Sequence, residues 1–119
     1  MSTKTLAPSI IIVDDDAKLR DALKLLFEHD GFEVIGQAAD GAEAMTLAVY
    51  YQPDFIILDY AMPELDGMHT SIVLRKLAPQ AKIVAFSAYL EAKPNWADAY
   101  LSKDRIVEMS SLIKAMADL

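Results

Sequence analysis

Short apolar runs alternate along this chain with amphipathic segments, and no other feature restricts the fold more. Ile10–Val13 and Phe55–Leu58 are unbroken apolar runs, as expected of strands buried on both faces. Glu33–Ala38, Lys82–Phe86 and Ala99–Ser102 read as three further strands. The first helix is predicted from Asp16, as its cap, to about His29, with Leu19, Ala22, Leu23 and Leu26 on one face and a stop at Asp30-Gly31. Asp40, with Glu43 three residues on, has the spacing of a capping box for a helix running to about Tyr51. A third helix is predicted from about Gly67 to Leu77, carrying Met68, Ile72 and Leu77 at near-helical spacing. The last helix is predicted to start near Asp104, as its cap, with Ile106, Met109, Ile113 and Met116 facing inward.

Alternating strands and helices imply a parallel sheet covered on both faces. Right-handed crossovers and five strands suggest a doubly wound, flavodoxin-like (βα)5 α/β fold in the order 2-1-3-4-5. One crossover is short. Ser87 to Asp98 spans only twelve residues and contains Pro94, so the helix of the fourth crossover is expected to be shortened or absent.

At 119 residues the chain reads as one domain over 1–119, with residues 1–8 as a flexible lead-in. Its formal charge of −7, from 18 acids against 11 bases, argues against direct nucleic-acid binding, which needs a basic surface. No apolar stretch approaches a membrane span, so no membrane partner is expected. The absence of cysteine excludes thiolate metal sites and fits a cytoplasmic location.

In a sheet of this order, ligands bind beyond the carboxyl ends of the strands where the order reverses, between strands 1 and 3. Strand 1 runs into Asp14-Asp15-Asp16 and strand 3 into Asp59. Carboxylates gathered there repel one another unless a hard cation such as Mg²⁺ joins them. There is no Gly-rich phosphate loop, which argues against a nucleotide. Strand 4 ends in Phe86-Ser87-Ala88 and strand 5 in Tyr100-Leu101-Ser102-Lys103, so a hydroxyl and an ammonium complete the set. Metal, hydroxyl and ammonium together suit phosphoryl transfer, with Asp59 as the nucleophile.

VDDD at 13–16, LDYAMPELDGM at 58–68, FSA at 86–88 and AYLSK at 99–103 stand in one order at the strand ends. With these motifs the chain resembles the receiver domain of two-component response regulators along nearly its whole length. The resemblance implies a phosphorylation-controlled signalling switch, not an enzyme acting on other substrates. It implies that Asp59 accepts a phosphoryl group from a phosphohistidine of a sensor histidine kinase or phosphotransfer protein. Asp15 is implied as a direct Mg²⁺ ligand, Asp14 as an acid acting largely through water, Asp59 as a metal-binding acid as well as the acceptor, and the backbone carbonyl of Ala61 as the third protein ligand. Ser87 and Lys103 are implied to contact the phosphoryl group, and Tyr100 to turn inward as Ser87 moves. Pro63 and Gly67 shape the adjoining loop, and a homodimer on phosphorylation is a family expectation.

Simpler roles are expected elsewhere. Asp16 reads as a cap, Asp66 as a turn acid, and His29 and His69 as surface residues. Trp96 fits either a loop shield or a partner surface. Asp104 stands where the family usually has proline, so a cis peptide is not expected. Ala61 and Tyr89, two residues after the acceptor and the hydroxyl, suggest slow autodephosphorylation; a phosphoryl half-life of seconds in purified protein would contradict that. The rival functions are a phosphorylation-independent pseudo-receiver and a Mg²⁺-dependent phosphohydrolase of the haloacid-dehalogenase type. The second expects an acid two residues after its nucleophile, where this chain has Ala61.

Overall fold

A computed structural model describes residues 7–59, 67–88 and 92–117. The order is β1 (Ser9–Val13), α1 (Ala17–His29), β2 (Glu33–Ala38), α2 (Gly41–Tyr51), β3 (Phe55–Asp59), α3 (Gly67–Leu77), β4 (Lys82–Ser87), β5 (Ala99–Ser102), a 3-10 segment (Lys103–Glu108) and α4 (Met109–Ala117). All pairings are parallel, and the sheet runs β2-β1-β3-β4-β5, the expected doubly wound order. Of the lead-in, residues 1–6 lie outside the described residues, while the Pro8 carbonyl already accepts from Glu33 N at 3.2 Å.

Strand pleating sends alternate side chains to two cores. Ile10, Ile12, Phe55, Ile57, Val84 and Phe86 face α1 and α4, meeting Leu23, Phe27, Met109 and Ile113. Ile11, Val13, Ile56, Leu58, Ile83 and Ala85 face the other way, onto Ala44 and Ala48 of α2, Leu74 of α3, and Trp96. Because both faces of the central strands β1, β3 and β4 are covered, they carry no polar alternation, and this is why they read as near-continuous apolar runs.

The helix ends follow their caps. Asp16 accepts from Lys18 N at 3.0 Å and Leu19 N at 3.3 Å, as a capping acid does. Gly31 takes φ +89° just beyond α1, a conformation that glycine adopts without a Cβ penalty. Asp40 accepts from Glu43 N at 2.9 Å, and Glu43 reaches back to Ala39 N at 2.7 Å, one residue before the usual partner of a capping box.

Two expectations are corrected. The inward face of α3 is Gly67, Thr70, Ser71 and Leu74; Met68 and Ile72 stay 43% and 50% exposed. Small residues let this helix lie close on the sheet, and the larger apolar residues are left on its flank. The last α-helix also starts later than expected. Ser102, not Asp104, precedes the 3-10 segment, Arg105 is non-helical at φ −109° and ψ 29°, and α4 begins only at Met109. Lys103 is held back at the sheet end by its ion pairs, so the chain leaves β5 as a tighter 3-10 turn. Ile106, Met109, Ile113 and Met116 do face the core.

No helix occurs among the described residues between β4 and β5. In its place the described residues 92–98 form an irregular strap, turned where Ala97 N donates to Pro94 O at 3.2 Å. Arg75 donates to Trp96 O at 2.7 Å and to Asp98 Oδ2 at 3.2 Å, and Ile83 N donates to the same Asp98 oxygen at 2.8 Å. Trp96 is only 9% exposed and packs in the α2–α3 core, so it is a shield and not a free surface residue.

Candidate functional site

The reversal of strand order brings the ends of β1 and β3 side by side, with Val13 opposite Leu58. Asp14 and Asp59 follow those two residues directly, at 1% and 4% exposure. Asp15 is exposed beside them, and one carboxylate oxygen from each of the three acids lies within 4.8 Å of the others. On the neighbouring strands, Asp59 is opposite Phe86 and Ser87 is opposite Ser102. Ser87 is buried at the end of β4, and Lys103 immediately follows β5.

Local bonds hold these groups. Asp16 N donates to Asp14 Oδ1 at 2.9 Å, closing a turn over the carboxylate. Asp14 N donates to Ala38 O at 3.0 Å, extending the β1–β2 ladder by one bond. The Lys103 ammonium lies 2.8 Å from Asp14 Oδ2 and 3.5 Å from Asp59 Oδ2, with the Phe86 ring 6.0 Å beneath it. Asp14 Oδ2 takes no aligned hydrogen bond among the described residues, so its contact with Lys103 is an ion pair and lone-pair capacity remains. A buried, undersatisfied carboxylate oxygen beside two further carboxylates is the donor set that a hard divalent cation takes.

Burial works against the Lys103 charge, but the close contact with Asp14 and its charge, joined by that of Asp59, outweigh it and raise the pKa above its ordinary 10.5. A folded-state pKa above the unfolded one gives a stabilisation that is complete below the ordinary lysine value. That stabilisation is lost as pH rises through the raised pKa. In metal-free protein, urea unfolding from neutral pH upward should therefore show the wild type losing its advantage over Lys103→Met only in strongly alkaline solution. A difference that disappears between neutral pH and the ordinary lysine value would contradict this.

Asp14, Asp15, Asp59, Ser87 and Lys103, all predicted from sequence, thus meet at one end of the sheet. Tyr100 is partly buried one strand over and packs on the α2–α3 core. Ala61, Pro63, Asp66 and Tyr89 lie outside the described residues, and with them the expected carbonyl ligand. His29 and His69 are exposed on α1 and α3, and Asp16 is the cap it was read to be. Sequence reasoning missed Arg20, whose Nη1 donates to the Asp14 carbonyl at 2.6 Å. The available signal was a cation one helical turn after the capping acid.

Residues 10–114 match the family model for the response regulator receiver domain. The transcriptional regulatory protein PdtaR of Mycobacterium tuberculosis is 35% identical over 112 residues, covering 90% of this chain and 54% of that protein. The chemotaxis protein CheY of Bacillus subtilis is 36% identical over 83 residues, 70% of this chain and 69% of that one. The response regulator domain of Thermotoga maritima CheB shares the fold, with a TM-score of 0.85 over 95% of this chain and 98% of that one, at 23% identity. The chain spans about half the length of the curated transcriptional regulators it matches.

Proposed function

Because this chain belongs to the response regulator receiver family, we propose that it is a phosphorylation-controlled switch whose phosphoacceptor is Asp59. The observation that carries this reading is the convergence of Asp14, Asp15 and Asp59 within 4.8 Å under the Lys103 ammonium. In the transfer, an Asp59 carboxylate oxygen attacks the phosphorus of a phosphohistidine. A P–O bond forms and the P–N bond breaks; its electron pair goes to the imidazole nitrogen, which takes up a proton.

The residues divide the work. Asp14 and Asp15, with the carbonyl of Ala61, would hold Mg²⁺. When bound, that ion supplies positive charge against the repulsion between the acids and the phosphoryl oxygens. Lys103 is already placed against Asp59 and is positioned to follow a phosphoryl oxygen as charge builds there. Ser87, at the end of the adjacent strand, supplies a hydroxyl donor for a second oxygen. Its movement toward that oxygen would free room for the Tyr100 ring, which carries the change to the β5 side. A sensor histidine kinase or phosphotransfer protein is the proposed donor. An output domain or partner, including a second copy of the chain, is the proposed reader.

Incubation of the protein with acetyl phosphate, followed by intact mass, tests the reading. One phosphoryl group should appear with Mg²⁺ and none with excess EDTA. A protein that gains none in either condition is a phosphorylation-independent module. One that hydrolyses general phosphate esters without retaining the group is a phosphohydrolase.

A further inference from the structure

The Asp14–Asp16 turn is held from behind by a side chain that phosphoryl transfer itself does not require. Arg20 is partly buried on the first turns of α1. Its Nη1 donates to the backbone carbonyl of Asp14 at 2.6 Å, and its Nε donates to Gln37 Oε1 on β2 at 3.2 Å. The paired residues of β1 end at Val13, so this carbonyl lies beyond the paired strand and its partner is the guanidinium. The bond is short and charge-assisted, and the planar fork lets one side chain hold two elements together.

The peptide linking Asp14 to Asp15 is planar, so fixing the Asp14 oxygen also fixes the plane from which Asp15 departs. Asp14 has its own carboxylate anchor in Asp16 N. The Asp15 side chain takes no hydrogen bond or ion pair among the described residues, so the backbone is the one constraint they place on where it points. We propose that Arg20 is a positioning residue for the metal site: by clamping the Asp14 carbonyl to α1 and β2, it aims the Asp15 carboxylate. This inference rests on the reading of Asp14 and Asp15 as the Mg²⁺ acids.

Two effects of Arg20 on Mg²⁺ oppose each other, and their signs separate the explanations. As a nearby cation it repels the ion, so a merely electrostatic Arg20 would, on removal, tighten binding. As a clamp it orders the ligands, so removal loosens binding, and groups that orient metal ligands typically contribute about 10- to 100-fold in affinity. Backbone amide NMR during Mg²⁺ titration measures affinity for the wild type, Arg20→Gln, Arg20→Lys and Gln37→Leu. Hydrogen exchange at the Asp15 and Asp16 amides is followed in metal-free protein.

Both Arg20 variants should bind Mg²⁺ about ten-fold more weakly, lysine included, because it keeps the charge but loses the fork. Their Asp15 and Asp16 amides should exchange faster without metal. Gln37→Leu, which leaves the charge untouched, should weaken binding by a smaller factor and still report if the Arg20 variants fold poorly. Tighter or unchanged binding by Arg20→Gln, or wild-type binding by Arg20→Lys, overturns the inference while leaving the phosphoacceptor reading intact. A wild type that binds no Mg²⁺ overturns both.

Discussion

Asp59→Asn protein is expected to gain no phosphoryl group from acetyl phosphate under conditions in which the wild type gains one. The amide keeps the shape of the side chain but has no anionic oxygen to form the P–O bond. The variant should remain folded. Asp59 is one of three converging carboxylates, and neutralising it removes repulsion while Lys103 keeps its closer partner, Asp14, at 2.8 Å. Intact mass and a urea unfolding curve on one sample check both halves. Phosphorylation persisting in a folded Asp59→Asn protein would move the acceptor elsewhere and end the present assignment.

The largest expected effect on stability comes from a residue with no part in the chemistry. Trp96→Ala should cost about 3–5 kcal/mol, the usual range for deleting a large buried aromatic. Trp96 belongs to the same buried cluster as Leu74, Ile83 and Ala85 on the α2–α3 side of the sheet, in the crossover whose described residues hold no helix. Its backbone carbonyl stays tied to Arg75 after the substitution, so the strap cannot easily collapse into the space left behind. Against a typical domain stability of ~5–15 kcal/mol, this is a substantial fraction of the total. Because it is the chain's one tryptophan, the comparison has to use circular dichroism and not intrinsic fluorescence. A loss below ~1 kcal/mol would mean that Trp96 only rests on the surface.

Most of the fold was legible because its strands are buried on both sides. Runs such as Ile10–Val13 and Phe55–Leu58 leave no ambiguity of face, and a parallel sheet puts their carboxyl ends together. That rule also gathered Asp14, Asp59, Ser87 and Lys103 without any knowledge of side-chain geometry. What escaped was set by tertiary contact. Met68 and Ile72 looked like the inward stripe of α3 because they are its larger apolar residues. The sheet instead accepted Gly67, Thr70, Ser71 and Leu74, whose smaller side chains allow close approach. Asp104 had the composition of a helix cap, but the pull of Asp14 on Lys103 delayed the helix to Met109. Trp96 was undecided between shield and surface because nothing local reveals what the fourth crossover lies against. Arg20 carries no motif; its partner is a backbone carbonyl, which has no letter in a sequence.

The strap between β4 and β5 also determines how this stretch of chain can change length. Residues 88–98 are eleven, at the lower limit of ~10–12 for joining parallel neighbours. Deletions that remove Trp96 or Asp98 would free this segment from Arg75 and Ile83 and so loosen the edge that carries the Ser87–Ser102 pairing. Lengthening is different: doubling a flexible loop costs only ~0.6 kcal/mol of closure entropy. The crossover therefore tolerates insertion away from Trp96 and Asp98, and a graft placed there would sit beside the site without rebuilding the sheet.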